Sequence, residues 1–201
     1  MIETKQLRLR QPNVQDINGY CLLFSEPAGS EIFALPPLSA EDAWSRLLRS
    51  IGHWSHFKYG LFIVEHRQSG ELIGEAGFAN FHRGNGSDFD NYPEAAWRIS
   101  RSARGKGFAS ETMLAATQWL IDQLHPSRAV CMIHPANAPS LAVASRIGFN
   151  EFERSTYKDR PVILMAKNWE SPRGHKAEIG SMGDGHTLTL HLIEHPLQLL
   201  P

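Results

Sequence analysis

Hydrophobic residues recur along this chain at two spacings, every second residue in some stretches and every third or fourth in others. Leu7 and Leu9 alternate with two arginines, which predicts a strand with one buried face, and a helix ending near Phe24 is predicted to follow. A second helix is predicted to begin at Ser39, because a serine followed by acidic residues is a favourable helix start. Its apolar residues lie at helical spacing: Ala43, Leu47, Ile51 and Trp54.

The middle of the chain has the pattern of neighbouring strands. Residues 61–64 form an apolar run typical of a buried strand, and a Ser-Gly turn leads into the next predicted strand at 72–78. Residues 82–92 are polar and rich in turn formers, so they predict a long connection to a further strand at 95–100. Such a loop is either a place for substrate contacts or a hairpin tip without a role.

The second half of the chain begins with a strand–helix–strand crossover. A long helix is predicted over residues 110–124, and an apolar strand at 129–133 follows it. A short helix is then predicted from Asn137, followed by two strands at 149–157 and 162–169. The apolar stripe of the long helix comprises Ala109, Met113, Ala116, Leu120 and Leu124.

The composition changes after Trp169, where segments rich in glycine, serine and proline begin. The sequence therefore predicts a domain over residues 1–169 and a C-terminal tail over 170–201. Residues 187–193 within the tail have the alternation of one more strand. The tail either packs on the domain, pairs with another subunit or stays loose, and a homodimer is therefore left open.

Bulk properties exclude several classes of protein. The 201 residues have a net charge of −1, which argues against direct nucleic-acid binding. No apolar run approaches the roughly twenty residues of a membrane span, and no membrane partner is expected. The two cysteines are far apart in sequence, so no disulfide framework is indicated and a cytoplasmic location is the default. Cys131 lies in an apolar strand and is expected to be a buried structural thiol.

The ten histidines do not have the spacing of a metal site. His53 and His56 are three residues apart on a predicted helix, but the HExxH pattern and paired Cys/His spacings are absent, so surface histidines and no metal are expected. Most of the tryptophans are expected in the core, with Trp97 as an alternative aromatic wall for a substrate. The five are Trp44, Trp54, Trp97, Trp119 and Trp169.

The candidate chemistry is concentrated in a glycine-rich turn between a strand and the long helix. Such a turn places backbone N–H groups at the positive end of the helix dipole, where they can bind a phosphate. A P-loop needs Ser or Thr after its lysine, but Gly107 follows Lys106, and a dinucleotide fingerprint needs a glycine where Ser110 stands. The turn consists of Arg104, Gly105, Lys106, Gly107, Phe108 and Ala109.

The pattern Arg-x-x-Gly-x-Ala in this turn resembles the pyrophosphate loop of the GNAT (Gcn5-related) N-acetyltransferases. About thirty residues downstream, Asn137 and Ser140 begin a segment that ends in Gly148-Phe149 and resembles the end of the GNAT core. The opening residues 3–10 resemble the first strand of the branch that acetylates ribosomal-protein N-termini and related amines. The resemblance covers roughly residues 3–169.

The resemblance implies a mixed α/β fold with a predominantly antiparallel sheet of about seven strands, flanked by helices. One parallel pair of strands is expected to splay apart at the cofactor, and the strand before the glycine turn is expected to contain a bulge. The implied cosubstrate is acetyl-CoA, held by residues 104–109 and by Asn137. Backbone N–H groups near Ile99 or Ser100 are expected to polarise the thioester carbonyl.

The resemblance also implies which side chains would transfer protons. Glu94 is the first candidate to accept the proton of the attacking amine, with Glu75 as the alternative. Ser140 is the candidate to protonate or hydrogen-bond the departing thiolate, with Tyr157 as the alternative. The two first candidates also have a plain structural interpretation, as a solvated strand end for Glu94 and a helix-start residue for Ser140.

The predicted function is transfer of an acetyl group from acetyl-CoA to a primary amine, of a protein N-terminus or a small molecule. Direct attack is favoured because neither cysteine has the surroundings of a nucleophile. Asp88 and Asp90 are placed to attract a cationic substrate, and residues 38–57 and 82–92 to line the amine side. The alternatives are a non-catalytic acyl-CoA-binding sensor or assembly module and another enzyme with a phosphate-containing ligand.

Overall fold

The computed structural model describes residues 1–25 and 36–169, in which one eight-stranded sheet has helices on both faces. The predicted tail over 170–201, with its strand at 187–193, lies outside the described residues. The strands are β1 (Ile2–Glu3), β2 (Leu7–Arg10), β3 (Leu61–His66), β4 (Leu72–Ala79), β5 (Glu94–Ile99), β6 (Arg128–Ile133), β7 (Asn150–Tyr157) and β8 (Arg160–Asn168). The helices are α1 (Ile17–Ser25), α2 (Ala40–Phe57), α3 (Ser87–Asp90), α4 (Phe108–Leu124) and α5 (Ala138–Arg146).

The strand order in the sheet is β1-β2-β3-β4-β5-β6-β8-β7. Every neighbouring pair is antiparallel except β5 and β6, which are parallel. This confirms the predicted mixed α/β class with one parallel pair. The sheet has one strand more than the seven expected, because the two-residue β1 pairs with the far end of β2, Ile2 opposite Leu9.

The parallel strands β5 and β6 meet at a single register pair, Glu94 opposite Val130. The Val130 N–H donates to the Pro93 carbonyl at 3.0 Å, and the strands diverge beyond this point. The space that opens between β5 and β6 is called the wedge below. The expected splayed pair is therefore present.

The prediction of a bulge in β5 is wrong. Strands β4 and β5 keep one uninterrupted register from Gly74 opposite Ile99 to Ala79 opposite Glu94. The described residues shift register between β3 and β4, at Val64, and between β7 and β8, at Glu151. The wedge thus results from the divergence of β6 and does not need an extra residue in β5.

One face of the sheet is covered by α4 and α5. Met113, Ala116 and Leu120 are fully buried against it, as the helical stripe predicts. Leu124 is 40% exposed, contrary to its predicted place in the stripe, because it is the last residue of the helix. Trp44 is also exposed, since it follows the buried Ala43 and therefore points about 100° away from the buried side of α2.

The other face of the sheet is covered in two places. Helices α1 and α2 pack over β3 and β4, where Tyr20 and Leu47 are fully buried. The connection between β4 and β5 covers β6 and β8, because the one-turn helix α3 buries Phe89 among their apolar side chains. The predicted polar loop at 82–92 is therefore anchored by one aromatic ring.

His53 is half-buried and has a structural role. Its ring bonds the Tyr59 carbonyl through Nδ1 at 2.8 Å and the Asn80 N–H through Nε2 at 2.9 Å. One bond needs a donor nitrogen and the other an acceptor, so the ring is neutral, and burial lowers its pKa accordingly. The expectation that all histidines lie on the surface is wrong for this one.

The N-terminal segment is fastened to the start of α4 by a cluster that we call the N-terminal clasp: Thr4, Gln6 and Glu111. The Glu111 carboxylate accepts from the Thr4 hydroxyl at 2.6 Å and from the Gln6 amide N–H at 2.9 Å. Burial of Glu111 opposes its charge, but the bonds from Thr4 and Gln6 outweigh this, and its pKa is lowered. The clasp fixes β2 against the first turn of α4.

We expect Glu111→Gln to lower the melting temperature by roughly 2–4 °C at pH 7, equivalent to about 1 kcal/mol for a chain of this size. Because the folded-state pKa of Glu111 is lowered, its stabilisation is present above the ordinary carboxyl pKa of 4.5 and is lost as the pH falls through the lowered value. Thermal denaturation at several pH values measures this. Glu151→Gln, in the exposed pair with Arg154, is the control and should change little.

Candidate active site

The first turn of α4 has free space beyond its N-terminus. Its N-cap residue, Gly107, has φ of +82°, and Gly105 has φ of +75°, conformations that residues with a Cβ rarely adopt. A Cβ on either glycine would have no atom of the described residues within 4 Å. Within the described part of the chain, no side chain caps this helix. The first-turn amides, which have no intrahelical acceptor, therefore face a space that could hold a phosphate.

Two cationic side chains of the turn lie beside this space, and the other turn residues hold the turn in place. Arg104 and Lys106 are exposed, and Arg104 Nε donates to the Ile99 carbonyl at 3.2 Å, which turns its side chain towards β5. Phe108 is buried against the ring of His66, so it anchors the turn and offers a ligand its backbone amide. Ala109, half-buried, follows in the same helical turn.

Arg146 adds a cation that the sequence did not indicate. It lies in the last turn of α5, and its Nη1 donates to the Ser110 hydroxyl in the first turn of α4 at 3.2 Å. The two residues are 36 positions apart, and no local pattern links them. Helix α5 therefore ends beside the start of α4, which brings the two segments of the GNAT resemblance together.

The main chain of β5 offers one amide to the wedge at the predicted position. The Ser100 N–H donates to the Ile73 carbonyl at 2.8 Å and thus faces β4. Successive residues of a strand direct their N–H groups to opposite sides, so the Ile99 N–H faces the wedge. Of the two residues proposed to polarise the thioester, the geometry favours Ile99.

Asn137 caps α5 as predicted. Its side-chain oxygen accepts from the Ser140 N–H at 3.2 Å, and its own N–H donates to the His134 carbonyl at 2.8 Å. The cap uses the amide of Ser140 and does not engage its hydroxyl. Ser140 itself is half-buried, in the first turn of the helix.

Glu94 lies on the face of the sheet opposite α4, which we call the acceptor face. Its side chain is only 6% exposed, and both carboxylate oxygens accept from Arg83, at 2.7 Å from Nε and 2.8 Å from Nη2. Burial raises the pKa of Glu94, Arg83 opposes the rise, and the charge of Asp90 adds to it. The interpretation of Glu94 as a solvated strand end is therefore wrong.

Glu75 is a second buried carboxylate on the acceptor face, 2% exposed. It accepts from the Tyr20 hydroxyl at 2.5 Å and from Arg46 Nη2 at 3.3 Å. Glu75 pairs with Arg98 across the strands, and Glu94 lies four residues from Arg98 along β5, so the Cα atoms of Glu75 and Glu94 are roughly 14 Å apart. Their protein partners differ completely, which allows each to be tested alone.

The remaining candidates divide between the two faces: Tyr157, the alternative thiolate donor, and the acceptor-side residues Asp88, Asp90 and Trp97. Tyr157 lies on the acceptor face, 3.5 Å from Arg83 Nη1, and Asp90 accepts from the Arg83 N–H at 3.1 Å. Asp88 is exposed. Trp97 packs against the core on the α4 side, so it is not an aromatic wall beside Glu94.

Neither cysteine is part of this arrangement. Cys131 is 1% exposed among apolar side chains, and burial together with the charge of Glu94 raises the pKa of its thiol. The expectation of a buried structural thiol is confirmed. In the described ranges, no cluster of three or more His, Cys, Asp or Glu side chains could hold a metal ion, and no helix is long and apolar enough to cross a membrane.

A sheet with one splayed parallel pair, followed by a glycine turn at a helix N-terminus, is the arrangement that the GNAT resemblance implies for an acyl-CoA-dependent transferase. A family model for an acetyltransferase (GNAT) domain matches residues 6–150, a range that includes the glycine turn and α5. The chain therefore belongs to the GNAT acetyltransferases, and it is an acetyl-CoA-dependent N-acetyltransferase.

Three similar proteins illustrate this relationship. A GNAT-family acetyltransferase from Bordetella pertussis is 30% identical, with a TM-score of 0.75 over 83% of this chain and 98% of its own. The uncharacterized N-acetyltransferase p20 of Bacillus licheniformis is 24% identical over 149 residues, 74% of this chain and 81% of p20. A ribosomal-protein-S5-alanine acetyltransferase from Vibrio fischeri, 19% identical, shares the fold with a TM-score of 0.65 over 83% of this chain and 95% of its own.

Proposed function

We propose that this acetyltransferase moves the acetyl group of acetyl-CoA to a primary amine by direct attack of the amine on the thioester. The observation that supports this most directly is the placement of a buried, ion-paired carboxylate, Glu94, at the narrow end of the wedge, where β5 and β6 meet. The carboxylate and the α4 turn lie at opposite ends of β5. A ligand that extends from the α4 turn into the wedge would therefore point along β5 towards the end that carries Glu94.

The glycine turn fits the diphosphate of coenzyme A. Amides at the start of α4 would donate to its oxygens, with Arg104 and Lys106 supplying positive charge. The φ angles of Gly105 and Gly107 and the open space at their Cβ positions match a bulky anion lying against the main chain. Asn137, at the start of α5, would hydrogen-bond the pantetheine arm where it passes.

The Ile99 N–H would donate to the thioester carbonyl oxygen. Glu94 is five positions from Ile99 along β5, roughly 16 Å, so it would take the proton from the amine through a chain of water molecules. Ser140 would hydrogen-bond or protonate the departing thiolate. A covalent acyl-enzyme is not part of this proposal, because the thiol of Cys131 is buried and its pKa is raised. The free thiols of Cys21 and Cys131 suit a reducing cytoplasm.

The acceptor amine belongs either to a protein N-terminus or to a small molecule. The relative from Vibrio fischeri is named for acetylating the alanine of ribosomal protein S5, and the opening residues 3–10 resemble that branch. Asp88, exposed beside the acceptor face, would favour acceptors that carry positive charge. We therefore propose cationic amines, peptides with a free N-terminus included.

Thiol release from acetyl-CoA with a panel of amines tests this function. The panel contains alanine- and serine-starting peptides, polyamines, amino sugars and their N-acetylated forms as blocked controls. We expect turnover with at least one free amine and none with its blocked form. Acetyl-CoA binding without turnover across the panel would favour the alternative of a non-catalytic acyl-CoA-binding module. A thermal shift with ATP or NAD but none with acetyl-CoA would contradict both.

Ser140→Ala is expected to lower kcat by about 100- to 1,000-fold, roughly the range for loss of one acid or hydrogen-bond donor, and to change the acetyl-CoA dissociation constant less than threefold. The reason is that the hydroxyl would act on the leaving thiolate, while the Asn137 cap uses the Ser140 amide, which alanine retains. Steady-state kinetics and calorimetry measure the two effects. Ser145→Ala, at an exposed position of the same helix, is the control. Unchanged kcat would remove Ser140 from the mechanism.

A further inference from the structure

We propose that Arg83 is a positioning residue for the acetyl transfer: it holds the Glu94 carboxylate in one orientation, in its proton-accepting form, and fixes the β4–β5 connection beside it. This inference rests on the proposed role of Glu94 as the base. No local sequence pattern indicated Arg83, because it lies in a polar loop and its partners are on other segments.

The pairing of Arg83 with Glu94 is bidentate. Nε and Nη2 each donate to a different carboxylate oxygen, at 2.7 and 2.8 Å. Two parallel bonds from a planar guanidinium fix the rotation of the carboxylate as well as its distance. Each oxygen accepts one bond from Arg83 and has a second lone pair, so the carboxylate can still accept a proton.

Arg83 also joins three segments around the acceptor face. Its Nη1 donates to the Tyr157 hydroxyl at 3.5 Å, at the end of β7, and its guanidinium lies 4.5 Å from the centre of the Phe81 ring. Its backbone N–H donates to Asp90, in α3, at 3.1 Å. One side chain thus links the β4–β5 connection, the start of β5 and the end of β7, so a change at Arg83 should alter the geometry of the acceptor side.

The charges around Glu94 give Arg83 an electrostatic role. Asp90 from α3 and burial both favour the protonated carboxyl, and the neighbouring thiol of Cys131 from β6 is held uncharged. Arg83 is the cation that opposes them, with Tyr157 bound to its far side. Without Arg83, the pKa of Glu94 should rise further, and less of the base form would be present near neutral pH.

Two variants of Arg83 separate charge from orientation. Arg83→Gln removes the cation, and we expect kcat/KM to fall about tenfold more at pH 6 than at pH 9, as the acid limb of the profile moves to higher pH. Arg83→Lys keeps a cation but cannot form the planar two-bond pair. The acid limb of its pH profile should therefore stay near that of the wild type, while kcat falls. Acetyl-CoA affinity should be unchanged in both. Arg154→Gln, in an exposed pair, is the matched control and should equal the wild type.

A second measurement does not depend on finding the acceptor. Carboxyl ¹³C NMR of glutamate-labelled protein, with the Glu94 signal assigned through Glu94→Gln, follows the titration of Glu94 directly. We expect the signal to titrate at higher pH in Arg83→Gln than in the wild type, and in Arg83→Lys to stay near the wild type.

Equal titration of Glu94 in wild type and a folded Arg83→Gln would overturn the inference, whether or not any amine is turned over. If Arg83→Gln does not fold, Arg83→Lys decides, because an unchanged kcat in that variant would overturn the positioning role. If the Glu94 signal titrates at higher pH in Arg83→Gln but no amine is turned over by the wild type, the role of Arg83 towards Glu94 is supported. Only the proposed function is then contradicted.

Discussion

Replacing Gly107 with tryptophan is expected to abolish acetyl-CoA binding, with an affinity loss of at least about 100-fold, or roughly 2.7 kcal/mol. The indole would project from the N-cap of α4 into the space where a Cβ has no neighbour within 4 Å among the described residues. It would thus occupy the place proposed for the diphosphate and shield the first-turn amides. Isothermal titration calorimetry measures the loss.

The matched control for this variant is Gly84→Trp. Gly84 has φ of +78°, and its Cβ position is also free of described neighbours within 4 Å, so the backbone strain and the local space are alike. The strain should cost each variant about 1–2 kcal/mol of stability. Only Gly107→Trp should lose the cofactor. Normal acetyl-CoA affinity in Gly107→Trp, or equal loss in both variants, would contradict the assignment of the glycine turn.

Replacing Glu94 with glutamine is expected to lower kcat/KM by about 100-fold or more, within the range for loss of a general base. The amide is close in shape to the carboxylate, and its oxygen can still accept from Arg83, so the fold should persist. Acetyl-CoA affinity should be nearly unchanged, because the glycine turn is at the other end of β5. Steady-state kinetics across pH and calorimetry measure the two properties.

Glu75→Gln is the comparison that decides between the two carboxylates. The Glu75 carboxylate joins the sheet to Tyr20 of α1 and Arg46 of α2. Its replacement should therefore lower the melting temperature, and it should reduce turnover less than Glu94→Gln does. If Glu75→Gln were instead to reduce kcat/KM more than Glu94→Gln does, the base would be Glu75. Circular dichroism on both variants guards against loss of fold as the cause.

The sequence predicted those parts of the site that depend on local geometry. The glycine turn follows from the need for positive φ at Gly105 and Gly107, and the start of α5 follows from the capping chemistry of Asn137. Both rules act within a few residues, so they can be applied without knowing the fold. The splayed parallel pair came from the GNAT resemblance, and the structure confirms it.

The parts that the sequence did not predict depend on residues distant along the chain. Arg83 meets Tyr157 across 74 positions, and Glu75 meets Tyr20 across 55, and nothing in their neighbours indicates these pairs. The absence of a bulge in β5 is likewise a matter of how whole strands align. The exposure of Trp44 was a simpler failure, because an apolar residue one position from a buried stripe points away from it.

The single register pair between β5 and β6 makes the sheet almost two separate sheets, β1–β5 and β6–β8. In β5, the amides of Trp97 and Ile99 face the gap, while those of Ala96 and Arg98 face β4. In ligand-free protein, the rate of amide hydrogen exchange should therefore alternate along β5. It should be fast at Trp97 and Ile99 and slow at Ala96 and Arg98. A bound pantetheine arm would even out this alternation, so the cosubstrate would supply part of the stiffness that the polypeptide lacks between its two halves.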